Sequence, residues 1–531
     1  MTEHYIILTI SALAAVLAVL SSYQLVQHYQ LCAYHIGEYY KNIKKSLILR
    51  LALESLITFV ITFSLMSVFV TLGGHFGLLG LLAFIALMVT FSVSQFIKKY
   101  KTPLKITHRI IRFFIILTAV NFGFWFVIIR AFYFYVPALS YSIIGLAPIT
   151  SYILCGIAAA IAAPMEAILQ TKYIYLAKKK LAAMPNLKII GITGSFGKTS
   201  VKFILQKFLE GRYKVCASPN SFNTPMGLCR SINQNLKPGD QIFIAEMGAR
   251  KKGDITKLCG IAPPDIAVIT AIGEQHMATF KNIDAVASAK YEIIQNLKPE
   301  GLAVFNLNSQ KVIELCHKTK HDKIMVGNLI QDKDCFAHYS NPQTFNRGSR
   351  FSLTVDGKTI DCVTALLGLH NIGNITLAAA LAYKLGVGLE DIAQKITELK
   401  PIPHRLQLIE SGGGLTIIDD SFNANLEGAK AALDILKSFL QKKIVITAGL
   451  VDMGKFQRRA NEELGRHIAR AADWCIITGP NSLYIYDGLI KENFSIKRIR
   501  ICDNLDQAVN VLNSIPGSKV ALFQNDLPDN Y

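Results

Sequence analysis

The opening third of this 531-residue chain carries five apolar runs, each close to the length that crosses a bilayer core. They are Tyr5–Val26, Leu51–Leu72, Phe76–Ile97, Phe113–Val136 and Ile143–Ala163. A bilayer offers the backbone no hydrogen-bond partner, so such runs fold as helices. The first has no convincing cleavage site and more spans follow it, so it reads as an anchor and not a signal peptide. Basic residues are distributed unevenly between the runs. Lys41, Lys44, Lys45 and Arg50 precede the second run; Lys98, Lys99, Lys101, Lys105, Arg109 and Arg112 follow the third; Lys172, Lys178, Lys179 and Lys180 follow the fifth. The alternate connections, Gly73–His75 and Pro137–Ser142, have no Lys or Arg. The positive-inside rule then gives a multi-pass protein of the inner (plasma) membrane, N-terminus outside, with everything after residue 163 in the cytoplasm. Glu54 and Arg130 fall near span ends, where snorkelling accounts for them. The tyrosine- and histidine-rich stretch His28–Tyr40 reads as an interfacial or re-entrant segment beside lipid headgroups.

The mean hydropathy of +0.34 therefore averages two unlike parts. After residue 163 the chain has the composition of an ordinary α/β protein. Ten cysteines without CxxC pairing fit a reducing compartment and argue against a disulfide framework or a four-cysteine zinc site. The net charge of +19 is no argument for nucleic acid, because much of it flanks the apolar runs, where topology and anionic lipid explain it.

The second part announces itself at Gly191-Ile192-Thr193-Gly194-Ser195-Phe196-Gly197-Lys198-Thr199-Ser200. Leu187–Ile192 reads as a buried strand, and Val201, Ile204, Leu205, Phe208 and Leu209 recur at helical spacing. Strand, glycine turn and helix is the setting in which backbone N–H groups and a helix N-terminus cradle phosphate oxygens. Thr193, Gly194, Ser195, Gly197, Lys198, Thr199 and Ser200 are the candidate nucleotide-binding residues; Lys198 brings a point charge and Thr199 a hydroxyl for magnesium. Ile192 stands where a strict GxxxxGK[ST] loop has its first glycine.

Apolar strands and amphipathic helices then alternate, the pattern of a mostly parallel α/β fold. Strand-like runs include Gln241–Ala245, Ile266–Thr270, Leu302–Asn306, Lys443–Thr447, Trp474–Thr478 and Lys519–Phe523, with a β-rich insertion around Cys335–Thr364 and a boundary at Leu399–Pro403. Glu246 and His276 follow successive strands, where open sheets hold ligands, and with Thr199 could hold one or two magnesium ions. Lys290, on a helix, reads by itself as a surface lysine.

These residues resemble the Mur ligase family of ATP-dependent amide-forming enzymes, and most of all its MurF type, which adds D-alanyl-D-alanine. Thr193–Ser200 is similar to the family's TGSxGKTS loop, Asn220–Gly227 to its NxNNxxG stretch, and Glu246-Met247-Gly248-Ala249 to its ELGA element, whose glutamate binds magnesium. His276 falls at a metal-binding histidine, and Ala289-Lys290-Tyr291-Glu292-Ile293 resembles AKxEI, whose lysine is carbamylated and helps to hold a second magnesium. Gly368–Asn374 resembles GxHNxxN, which implies that His370, Asn371 and Asn374 lie at the adenine. His404-Arg405-Leu406 resembles the element whose arginine reaches the γ-phosphate, and Asp419–Leu426 resembles DDSYNANP, which places Asp420 at the nucleotide. The resemblance implies Lys198, Lys290, His276, Arg405 and Asp420 as catalytic residues, and Thr199, Glu246, His276 and Lys290 as metal ligands.

The resemblance does not extend to the family's UDP-gripping first domain; the apolar runs stand in that place. Thr447–Gly454 follows the MurF GDMxELG segment only loosely, and Phe523–Tyr531 replaces a KGSRG-like ending. Both segments belong to the part that receives the amine. The expected architecture is an α-helical membrane region (1–163), a basic linker (164–186), a P-loop central ATP-binding domain (187–399) and a Rossmann-like C-terminal domain (400–531). The expected activity joins an amine such as D-Ala-D-Ala to a cell-envelope peptide, UDP- or lipid-linked, through an acyl phosphate. A capsule-type γ-glutamate ligase and a membrane protein that merely binds ATP are the competing readings.

Overall fold

A computed structural model describes the chain except for residues 1, 33, 44, 73–102, 137, 138, 140, 141, 220, 329–334, 346, 423, 424 and 525–531. The expected span Phe76–Ile97, Asn220, the Asn423-Ala424 pair and most of the Phe523–Tyr531 ending thus lie outside the described residues. The chain divides into two units, residues 1–170 and 171–527.

The first unit is helical. Among the described residues, three helices are long and apolar enough to cross a membrane: Leu47–Ser64, His108–Tyr133 and Ile143–Ala182. The expected first span is not one helix. It breaks into Thr2–Ser21 and Tyr23–Leu31, and the apolar pair Ile7–Ser21 and Tyr23–Leu31 is bent by 48°. The cause is local: Ser21 and Ser22 donate their hydroxyls to the carbonyls of Leu17 and Ala18, and a serine pair bonded back to its own helix is a known origin of kinks. The helix that holds the expected fifth span also runs on past its end. Its helix, Ala147–Ala182, carries Pro164 inside it and continues through the basic residues. Glu166 on this helix lies 3.3 Å from Arg109 and 2.6 Å from Arg112.

The second unit is built on two sheets. The first contains β1 (Lys188–Thr193), β2 (Val215–Ala217), β3 (Ile242–Glu246), β4 (Ile266–Ile269), β5 (Leu302–Asn306), β6 (Lys323–Asn328), β7 (Ala337–Phe345), β8 (Gly348–Val355) and β9 (Lys358–Thr364). Their order is β2-β3-β1-β4-β5-β6-β7-β8-β9, parallel from β2 to β7. The expected β-rich insertion is the antiparallel β7–β9 edge. Both faces of the centre are covered, so its strands read as apolar runs without alternation: every residue of β3 and β4 is buried.

The second sheet contains β10 (Gln407–Glu410), β11 (Leu415–Asp420), β12 (Lys442–Thr447), β13 (Trp474–Thr478), β14 (Ile499–Cys502) and β15 (Lys519–Gln524), in the order β10-β11-β15-β12-β13-β14. Only β10 runs antiparallel to its neighbour. In the first sheet the chain leaves β1 for β2 and β3 on one side, then returns to β4 on the other. A crevice at the carboxyl ends of β1 and β4 is therefore the topological switch point, where open α/β sheets bind ligands.

Candidate active site

At that switch point β1 ends on Thr193, and the chain turns through Gly194–Gly197 into the helix Lys198–Leu209. Two glycines are obligatory. Gly194 has φ +153° and a Cβ there would stand 2.0 Å from Thr270 Oγ1; Gly197 has φ +83° and its Cβ would stand 2.7 Å from Asn374 Oδ1. The turn is pinned to the segment after β4. Ser195 N donates to Ala271 O (2.7 Å), Ser195 Oγ donates to Gly273 O (3.0 Å), and Thr270 Oγ1 donates to Phe196 O (2.5 Å). A rigid loop thus holds open backbone donors at a helix N-terminus, the arrangement that binds phosphate.

Around the first turn of this helix lies a charged cluster. Thr199 Oγ1 donates to Glu246 Oε2 at 3.0 Å, and Arg405 Nη2 donates to Thr199 Oγ1 at 3.2 Å. Asn223 Nδ2 holds the other oxygen, Glu246 Oε1, at 3.1 Å. Lys202 Nζ lies 3.1 Å from Glu246 Oε2, and both side chains are almost fully buried. Burial pushes the Glu246 carboxyl up, but the ammonium groups of Lys202 and Lys198 and the Asn223 bond outweigh it and hold it below its ordinary range. Lys198 Nζ donates to Gly194 O at 2.6 Å; burial brings its ammonium down to about 8 against the pull of Glu246, with Arg405 adding to the fall.

Lys290 and His276 belong to the same electrostatic neighbourhood. Lys290 is not a surface lysine: on the helix Ile283–Gln295 it is 1% exposed, and burial, with Lys198 nearby, lowers its amine well below the ordinary lysine range. His276 has φ +52° and faces Asp452 across 3.6 Å; burial lowers its imidazole despite that carboxylate. No group of three or more His, Cys, Asp or Glu able to hold a metal ion occurs among the described residues. Thr199 and Glu246, two oxygen donors in contact, have the chemistry that magnesium takes.

The C-terminal part contributes Arg405 and Asp420. Arg405 is flanked by His404 and Leu406, at φ +63° and +48°, a costly conformation for residues with side chains. Its guanidinium lies 4.5 Å from the Phe422 ring centre. Asp420 ends β11; burial pushes its carboxyl up to about 7, although a backbone bond at Leu406 and the Arg405 charge pull the other way. A cavity of about 230 Å³ lies between the two sheets' domains. Gly197, Ser200, His370, Asn371, Asn374, Arg405 and Asp420 all line it. Thr193, Gly194, Ser195, Lys198 and Thr199 form the loop beside it, whereas Glu246, His276 and Lys290 do not line it.

Several site residues escaped sequence reasoning. Lys202 is one; a lysine four residues after Lys198, set among Val201, Ile204 and Leu205, was the available signal. Thr270, Asn308 and Ser309 line the cavity from segments that follow strands, and Asn306 from the end of β5. Asp452 reaches His276 from the loop after β12, where sequence indicated only a loose likeness.

Residues 192–382 match the Mur ligase middle domain and residues 404–523 the Mur ligase glutamate ligase domain. The UDP-N-acetylmuramoyl-tripeptide–D-alanyl-D-alanine ligase of Bacillus subtilis (strain 168) is 30% identical over 309 residues, 57% of this chain and 65% of the relative. That of Buchnera aphidicola subsp. Baizongia pistaciae (strain Bp) is 32% identical over 270 residues, 51% and 58%. The chain thus spans less than two-thirds of the length of either relative. MurF from Acinetobacter baumannii has the same fold over 68% of this chain and 78% of its own, with TM-score 0.62 and 22% identity. MurF from Thermotoga maritima, in complex with ADP, does so over 67% and 80%, with TM-score 0.59 and 24% identity. With both family domains in order across its second unit, the chain belongs to the Mur ligase family.

Proposed function

We propose that the protein is an ATP-dependent carboxylate–amine ligase of MurF type that extends a cell-wall peptide precursor with D-Ala-D-Ala or a similar amine. The observation that carries this reading is the convergence of the phosphate loop and the Arg405–Asp420 pair on one cavity. The substrate carboxylate attacks the γ-phosphate of ATP, giving an acyl phosphate and ADP; the amine then attacks the activated carbonyl and phosphate leaves. Gly194–Thr199 cradles the phosphates with backbone donors, and Lys198 neutralises charge that grows on the transferring group. Arg405 reaches the same group from the second domain, and the paired domains keep out water that would hydrolyse the acyl phosphate. His370, Asn371, Asn374 and Asp420 line the cavity; the first three would take the base end of the nucleotide, and Asp420 would face it from β11. Thr199 and Glu246, with His276, would hold magnesium, which when bound neutralises phosphate charge. Lys290, whose amine burial drives well below the ordinary lysine range, is suited to carbamylation, which would turn it into an anionic ligand.

The apolar helices of the first unit support a membrane-anchored ligase whose acceptor is presented at the bilayer surface, where tethering raises effective concentration. The test is ADP release by the detergent-purified full chain. UDP-linked and lipid-linked muropeptides are each offered with D-Ala-D-Ala, ammonia or glutamate, and products are read by mass. A D-Ala-D-Ala adduct supports the MurF reading; a glutamate adduct points to the capsule-type reaction; ATP binding without any adduct refutes a ligase. Turnover confined to the lipid-linked acceptor makes the helical unit part of the substrate site.

A further inference from the structure

Lys202 is the charge in this site that the proposed reaction does not use. Its whole side chain is buried (0% exposed), on the first turns of the helix that begins the phosphate site. Burying an ammonium is expensive unless a counter-charge meets it. Here the counter-charge is Glu246 Oε2, 3.1 Å away. The same oxygen accepts from Thr199 Oγ1, and the second carboxylate oxygen accepts from Asn223 Nδ2. Glu246 is therefore held on both oxygens, and one of its partners is a cation fixed inside the protein.

We propose that Lys202 is a positioning residue: a resident counter-ion that aims Glu246 at the phosphate loop and competes with a divalent cation for it. Two consequences follow from the charge geometry. Without the ammonium, Glu246 is a buried carboxylate short of its principal counter-charge, so the fold weakens, and an added dication restores what was lost. A like charge on one carboxylate opposes binding of a second, so removing Lys202 tightens the metal. The proposal rests on the reading of Glu246 as a metal ligand.

The test compares the full chain in detergent with Lys202→Met, Glu246→Gln and the double variant. Melting is followed in chelator, and Mn²⁺ binding is followed by electron paramagnetic resonance in saturating ADP. Lys202→Met lowers Tm in chelator by on the order of 10 °C, a loss that the double variant largely reverses because the pair disappears together. Mn²⁺ binds Lys202→Met about tenfold tighter than the parent, and Glu246→Gln weakens it. If the two substitutions are additive in Tm, the counter-ion role is overturned. Unchanged Mn²⁺ affinity in Lys202→Met beside a loss in Glu246→Gln overturns the competition alone. No change in either overturns the ligand assignment beneath it. Should Lys202→Met fail to fold, the double variant still decides: its recovery supports the pairing, and its failure as well refutes it.

Discussion

A lysine whose ammonium is half lost near pH 8 in the free protein becomes a sensor of the phosphates it meets. Burial lowers Lys198, and phosphate charge would raise it again. Binding ADP at pH 8–9 should therefore take up part of a proton, whereas at pH 6.5 the lysine is already charged and takes up none. Calorimetry in two buffers of different ionisation enthalpy measures this; equal apparent enthalpies across the range would refute it. ADP affinity should fall as pH rises above about 8, and Lys198→Met should abolish the proton uptake. Asp420 works in the opposite sense. Its folded value, about 7, lies above the ordinary aspartate value, so between about pH 4 and 7 the folded state keeps a proton that the unfolded chain has released. Stability therefore falls as pH rises through that window, by about 2 kcal/mol once the part-exposure of the side chain is allowed for. Asp420→Asn should flatten denaturation midpoints over pH 4–7, and an unchanged slope would count against the assignment.

At the scale of elements, the two glycines of the phosphate turn were legible because their chemistry leaves a mark in sequence. Gly194→Ala should abolish ADP binding, since the added methyl meets Thr270 and the pinned loop cannot yield; retention of ADP in equilibrium dialysis would contradict this. What sequence concealed was polar chemistry inside elements that look like something else. The helix Gln457–Ala469 reads as a charged surface helix, yet Asn461 is wholly buried. Its Oδ1 accepts from Leu450 N at 2.8 Å, and its Nδ2 donates to Leu450 O at 3.0 Å. Asn481 Nδ2 and Gln457 Nε2 donate to the same carbonyl, so three amides fix the loop that carries Asp452 to His276. Asn461→Ala leaves the Leu450 N–H without its acceptor and should cost roughly 2–3 kcal/mol in urea denaturation. A cost near zero would mean that the loop is not held there. Lys202 escaped for the same reason, because burial is a property of the partner it finds and not of the residue type. The alternating strands and helices of the second unit were readable from apolar runs, while the break in the first helix depended on where two serine hydroxyls turn.

For the molecule as a whole, if the first unit spans a bilayer as proposed, the number of crossings decides where the N-terminus lies. Among the described residues three helices are long and apolar enough to span, and the bent pair Ile7–Ser21 and Tyr23–Leu31 adds a fourth if it crosses as one. The run Phe76–Ile97 adds one more on sequence grounds. The basic clusters, ending with Lys178, Lys179 and Lys180, favour the cytoplasm for all that follows. Five crossings then put the N-terminus outside. If the bent pair instead dips into one leaflet and returns, four crossings remain and the N-terminus lies inside. Its 48° bend and its hydrogen-bonded polar residues, Arg50 to Gln24 among them, make this the crossing on which topology turns. In membranes that express the full chain, a small N-terminal epitope tag should be stained on intact spheroplasts, while trypsin should digest the second unit only in inside-out vesicles. A tag reachable only after permeabilisation, with the protease pattern unchanged, would make the pair a re-entrant element. Protease attack on the second unit from outside would overturn the orientation altogether, and with it any access to cytoplasmic ATP.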